Sequence, residues 1–129
     1  MTNVAGHDLP EILADAIAVG AWPPIVDQQD IVRVFGEVPE PSFALYSLDE
    51  MIGETSRWQV ETDPVYLGVG DETLIPSASV LIGDLGYDRP FGIDLRSDPP
   101  CIRLLAIDGR WRLVAESVEV LLVRLGVGE

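Results

Sequence analysis

With 129 residues, 47% of them hydrophobic, the chain has material for one core but not two, and it is too apolar for wholesale disorder. Eight Arg, no Lys and 22 acidic residues set a net charge of −14, which repels phosphate backbones and anionic bilayers and argues against direct nucleic-acid or membrane binding. Without Lys there is no Schiff-base amine or P-loop lysine, and one His (His7) and one Cys (Cys101) provide neither a disulfide nor a cysteine metal cage.

Residues 1–8 carry no basic-then-apolar secretion pattern and read as a loose tail on a cytoplasmic single domain spanning 1–129. Leu9, Ile12, Leu13, Ala16 and Ile17 follow helical spacing, with Asp8 placed to cap and Gly20 to end the helix. After the break at 21–24, Asp27 or Asp30 can cap a short helix running to Phe35, although 31–35 also suits a strand. A Pro-rich loop at 36–41 precedes a short strand at 43–46. Ser47-Leu48-Asp49-Glu50 has the form of a capping box and predicts a helix to Trp58 that buries Leu48, Met51 and Ile52.

From residue 65 the pattern turns to β-rich runs at 65–69, 79–82, 91–95, 101–107 and 111–115. Asp108-Gly109 predicts that the last two pair as a hairpin. Ser117 then caps a final helix with Val118, Leu121, Leu122 and Leu125 on one face and Gly126 past its end. The fold expected is α+β: a mainly antiparallel sheet of about five or six strands, packed with N-terminal helices and a C-terminal helix.

The densest polar group is Asp84 and Asp88 in the Gly83–Asp88 stretch, with Asp94 and Asp98 downstream. Four carboxylates can hold a divalent cation or do acid/base work, but Leu85, Tyr87 and Pro90 break calcium-loop spacing. Asp beside Gly reads first as a turn residue accepting backbone amides. A metal-dependent hydrolase would require at least three of the four to converge. Gly68-Val69-Gly70-Asp71 lacks the third glycine and following helix of a dinucleotide loop and reads as a strand-end turn. Cys101, in an apolar run, reads as a small core residue. Trp22, Trp58 and Trp111 are candidates for core or interface, and Arg103, Arg110 and Arg112 for a basic strip opposite the core or for pairing with carboxylates.

Residues 80–125 show an apolar strand ending in Ile82-Gly83-Asp84 with Gly86 behind it, and a strand ending in Asp94. A Pro99-Pro100 turn leads into a third strand, Trp111 precedes Val114-Ala115, and Ser117 opens the last helix. In that order these elements resemble the SUKH superfamily, which includes fungal cell-wall-synthesis regulators of the Smi/Knr type and many bacterial immunity proteins. Leu9-Pro10 at a helix start and the 43–50 strand and helix start are similar as well, while the Leu-Pro-x-x-Tyr and Asn-Gly-Gly region of many members is absent. The resemblance implies a compact α+β domain without catalytic residues, which acts by binding another protein, in bacteria typically a toxin and often a nuclease; no cofactor or metal is expected from the residues themselves. It carries no contact residue across. Charge alone nominates Glu37, Glu40, Asp49, Glu50, Glu54, Asp84 and Asp88 as contacts for a basic toxin domain. A regulatory or scaffold module of the same fold is the alternative.

Overall fold

The structure, a computed structural model, describes residues 2–127. The chain opens with β1 (Asn3–Val4) and β2 (His7–Asp8), an antiparallel hairpin whose Val4 is fully buried. Gln59 Nε2 donates to the Ala5 carbonyl at 2.7 Å. The segment expected to hang loose is thus tied down by one apolar side chain and one hydrogen bond; Met1 lies outside the described residues. Asp8 belongs to β2, so α1 (Glu11–Ala18) starts at Pro10 with no side-chain cap.

The helix-or-strand ambiguity at 31–35 resolves as α2 (Gln28–Phe35), because Asp27 and Asp30 cap it reciprocally. Asp27 Oδ1 accepts from the Asp30 amide at 2.8 Å, and Asp30 Oδ2 accepts from the Asp27 amide at 3.3 Å. Gly36 then ends the helix in the left-handed conformation, φ 76°. Short β3 (Ala44–Leu45) leads to the Ser47–Glu50 capping box and α3 (Leu48–Trp58). This helix buries Met51, Thr55 and Trp58, one turn apart, whereas Ile52 points outward and Leu48 is only half-buried.

The strand expected at 65–69 is mostly helical. Asp63 caps α4 (Pro64–Leu67) through the Val65 amide, with Pro64 in the first turn where it is best tolerated. Only β4 (Gly68–Val69) is extended, and it pairs with β5 (Glu72–Thr73), so Gly70 sits in a hairpin turn as expected. After a 3-10 turn (Pro76–Ala78) come β6 (Ser79–Asp84), β7 (Pro90–Asp94), β8 (Cys101–Leu105) and β9 (Trp111–Ala115), then α5 (Val118–Arg124), capped by Ser117.

The main sheet runs β3-β6-β7-β8-β9, antiparallel throughout, and the domain is α+β. Because the helices pack on this sheet, β6 and β7 are buried along both faces. One face carries Phe91, Ile93, Ile102 and Leu104, and Phe91 meets Phe35 of α2 at a ring separation of 4.6 Å. On the other, Trp58 of α3 lies 5.5 Å from Trp111 of β9. β3 is too short to pair all of β6, and α3 covers the remainder, Thr55 Oγ1 accepting from the Leu81 amide at 3.0 Å. Cys101 is buried, as a core residue should be.

Of the two readings of Arg103, Arg110 and Arg112, a basic strip or pairing with carboxylates, the structure has the pairing. Arg103 turns to Asp94 and Arg112 to Glu37, from opposite sides of the sheet, while Arg110 stands near Asp108. Asp94, 2% exposed, accepts from Arg96 and Arg103. Burial pushes its carboxyl up, but the bonds from Arg96 and Arg103 outweigh that and hold it below the usual carboxylate range.

Candidate functional site

Beside α3 and the β6–β7 turn the surface opens into a cleft of about 320 Å³. Its acidic wall is Glu54 on α3, Glu61 just beyond it, and Asp84 and Asp88 at the two ends of the turn; Arg57 is the one cation on its lining. Tyr46, Trp58 and Tyr66 supply the aromatic surface, with Leu81 and Pro90 between them.

Each part is held from behind. Trp22 Nε1 donates to the Tyr46 carbonyl at 2.8 Å, and the Tyr46 amide donates to the Ile82 carbonyl at 2.9 Å, so both backbone groups of Tyr46 are clamped. Trp111 Nε1 donates to the Tyr66 carbonyl at 2.8 Å, and Trp58 Nε1 to Ser79 Oγ at 2.7 Å. All three tryptophans are therefore core residues with satisfied indoles. Two of them fix the backbone of a cleft tyrosine, and the third forms part of the wall.

Asp84 behaves as a turn residue should: its Oδ1 accepts from the Gly86 amide at 2.6 Å and the Arg89 amide at 3.2 Å, leaving Oδ2 free. Asp88 does not. It sits at φ 59° beside Tyr87 at φ 54°, and its carboxylate bonds to no described residue. Ser42 Oγ supports the turn by accepting from the Tyr87 amide at 3.1 Å. Glu54 forms an ion pair with Arg57 one turn along α3, and Glu61 Oε2 accepts from the Thr62 and Asp63 amides.

Tyr46 is 8% exposed. Burial first, and then the negative charges of Asp84, Glu54 and Glu50, push its phenol above the ordinary value, so it remains protonated.

Of the seven carboxylates nominated by charge, three (Glu54, Asp84 and Asp88) come together here. Glu50 lies close enough to act on Tyr46, but its side chain is engaged in the capping box; Asp49 is exposed beside it in the first turn of α3. Glu40 packs over Gly86, where a Cβ would lie 2.3 Å from its own. Glu37 is committed inward: both oxygens accept from Arg89 at 2.7 Å, and Oε2 also from Arg112 at 3.1 Å. Tyr46, Tyr66, Glu61 and Arg57 were missed in the sequence. For Tyr66 the strand reading hid it; for Glu61 no motif marks a residue just past a helix end.

Asp84, Asp88, Asp94 and Asp98 do not converge as a metal-dependent hydrolase would need. Asp94 faces two arginines, and among the described residues no three of His, Cys, Asp and Glu are grouped to hold a metal ion. No helix among them is long and apolar enough to cross a membrane. A four-carboxylate cleft with aromatic walls can bind a cationic group by charge, hydrogen bonding and ring-face contact. No family model, curated protein or solved structure matches the chain.

Proposed function

We propose that this chain is a non-catalytic protein-binding domain of the SUKH kind, an immunity-type protein that binds and neutralises a basic toxin domain in the cytoplasm. The observation that carries the reading is the acidic cleft, where four carboxylates surround Tyr46, Trp58 and Tyr66 on a chain of net charge −14. Electrostatic steering draws a basic partner quickly to such a surface. Half-buried Tyr66 then offers aromatic surface of the kind that anchors interfaces.

The test is capture from native lysate with tagged protein at about 50 mM and about 500 mM salt, followed by expression of the captured domain with and without this chain. The expected result is one dominant basic partner, weakened at high salt, that arrests growth alone and is silenced by co-expression. A salt-sensitive partner that is harmless alone would replace the toxin reading with a regulatory or scaffold role. No partner at either salt would overturn both.

A further inference from the structure

We infer that the cleft between α3 and the β6–β7 turn receives the guanidinium of an arginine side chain presented by the partner protein. The inference rests on the protein-binding reading and specifies its anchor.

An acidic cluster alone would not identify a ligand, but Tyr46 adds an independent observation. Its side chain is more than nine-tenths buried, yet its hydroxyl makes no hydrogen bond to any described residue. Among the described residues no fully buried side-chain polar atom is left unpartnered, so the hydroxyl opens onto the cleft it lines. A hydroxyl that opens onto a cleft and that no protein group engages is available to a polar visitor. The same cleft is lined by Asp84 Oδ2, both oxygens of Asp88 and Glu61 Oε1, none of which accepts a bond from any described residue.

These acceptors occupy several walls rather than one point. A guanidinium presents five N–H donors in a plane and can lie against a ring such as that of half-buried Tyr66, whereas an ammonium is a compact and strongly hydrated point charge. The source is a protein and not a free small cation, because a second depression shares Tyr66 and Asp88 with the cleft and is bordered by exposed Val65, Tyr87 and Ile107. An anchor beside exposed apolar side chains suits a polypeptide, which brings both kinds of contact. A second copy of this chain is a poor source. All eight of its arginines already bond or pair internally, and two surfaces of this charge repel.

The experiment titrates ¹⁵N-labelled full chain with the acetylated, amidated tripeptide Gly-Arg-Gly, and with its lysine and citrulline analogues, following the Trp58 indole N–H. Saturable shifts are expected for the arginine peptide, with a dissociation constant on the order of millimolar, weaker binding of lysine, and none of citrulline. Tyr46→Phe removes only an unpaired hydroxyl, so it should weaken binding about fivefold without lowering the melting temperature. Asp88→Asn, which breaks no internal bond, should weaken it about as much. Arg57→Gln removes the competing cation and should tighten binding several-fold, a gain no purely structural role would produce. Glu119→Gln, in the separate groove between α1 and α5, should leave it unchanged.

Equal shifts with arginine and citrulline, or folded Tyr46→Phe and Asp88→Asn variants that bind as wild type, would overturn the inference. Its failure is separable from that of the broader reading. If the partner captured from lysate binds both variants as it binds wild type, the anchor is refuted while protein binding stands. If the arginine peptide behaves as expected and no toxin is captured, the cleft's chemistry is supported and the toxin reading falls.

Discussion

Replacing Asp94 by Asn tests whether the buried carboxylate organises the β7–β8 end of the sheet. Asp94 Oδ1 accepts from the Arg96 backbone amide at 3.0 Å and Arg96 Nε at 2.9 Å, and Oδ2 accepts from an Arg96 terminal nitrogen at 2.8 Å and Arg103 Nε at 3.0 Å. Asparagine keeps the shape and one acceptor but places an NH₂ group where Oδ2 met two donors. Two charge-assisted bonds are lost, worth about 1.5–3 kcal/mol each when fully desolvated. The Arg96 and Arg103 side chains are 38% and 25% exposed and partly rehydrate, so the expected net cost is about 2–3 kcal/mol.

Urea denaturation at pH 7 followed by tryptophan fluorescence should show a lower midpoint with an unchanged slope. Asp98→Asn, at an exposed neighbour, should stay within about 0.5 kcal/mol of wild type. The pH dependence supplies a second check. Asp94 has a folded-state pKa below its ordinary value of 3.8, so the unfolded chain binds the proton more readily. Its stabilisation is complete well above pH 4 and is lost as pH falls through the folded-state value. The gap between wild type and D94N should therefore close on acidification. A D94N cost under about 0.5 kcal/mol at pH 7, or a gap that does not narrow in acid, would refute the reasoning.

Two further substitutions address the frame that carries the cleft. Gly83→Ala places a Cβ 2.2 Å from the Phe91 ring and 2.7 Å from the Ala44 carbonyl oxygen. The ring can tilt but the β3 backbone cannot, so a loss of about 2 kcal/mol or more is expected in thermal or urea unfolding, and a neutral result would mean that β3 is not seated there. Ser47→Ala removes the acceptor for the Glu50 amide at the start of α3 and should cost about 1 kcal/mol by the same assay; Ser47→Asp, which restores an acceptor, should recover most of it.

Local signals in the sequence settle much of the architecture. The Ser47 and Ser117 caps start their helices where expected, β9 occupies its expected span, and the Asp108-Gly109 turn joins β8 to β9. Such features depend on residues a few positions apart, whose side chains satisfy the backbone groups next to them. Even the choice between helix and strand at 31–35 was present in the sequence, since Asp27 and Asp30 have capping-box spacing with Asp in place of Glu.

What only the tertiary structure decided was the partner of each long-range group. Glu37 and Arg112 are far apart along the chain, as are Trp22 and the Tyr46 carbonyl, and no periodicity brings them together. Charge alone put Glu37 and Asp88 in one class, yet one is spent on two arginines inside the fold and the other faces open space. The cleft also depends on non-local placement. α3 covers the edge that short β3 leaves open, which sets Glu54 and Trp58 opposite Asp84, and Trp22 and Trp111 hold the two tyrosines from behind. A sequence specifies its caps and turns by short-range hydrogen bonding, but a buried polar group takes whichever partner the packed chain brings within reach, because leaving it unpaired in a dry interior costs more than almost any local preference.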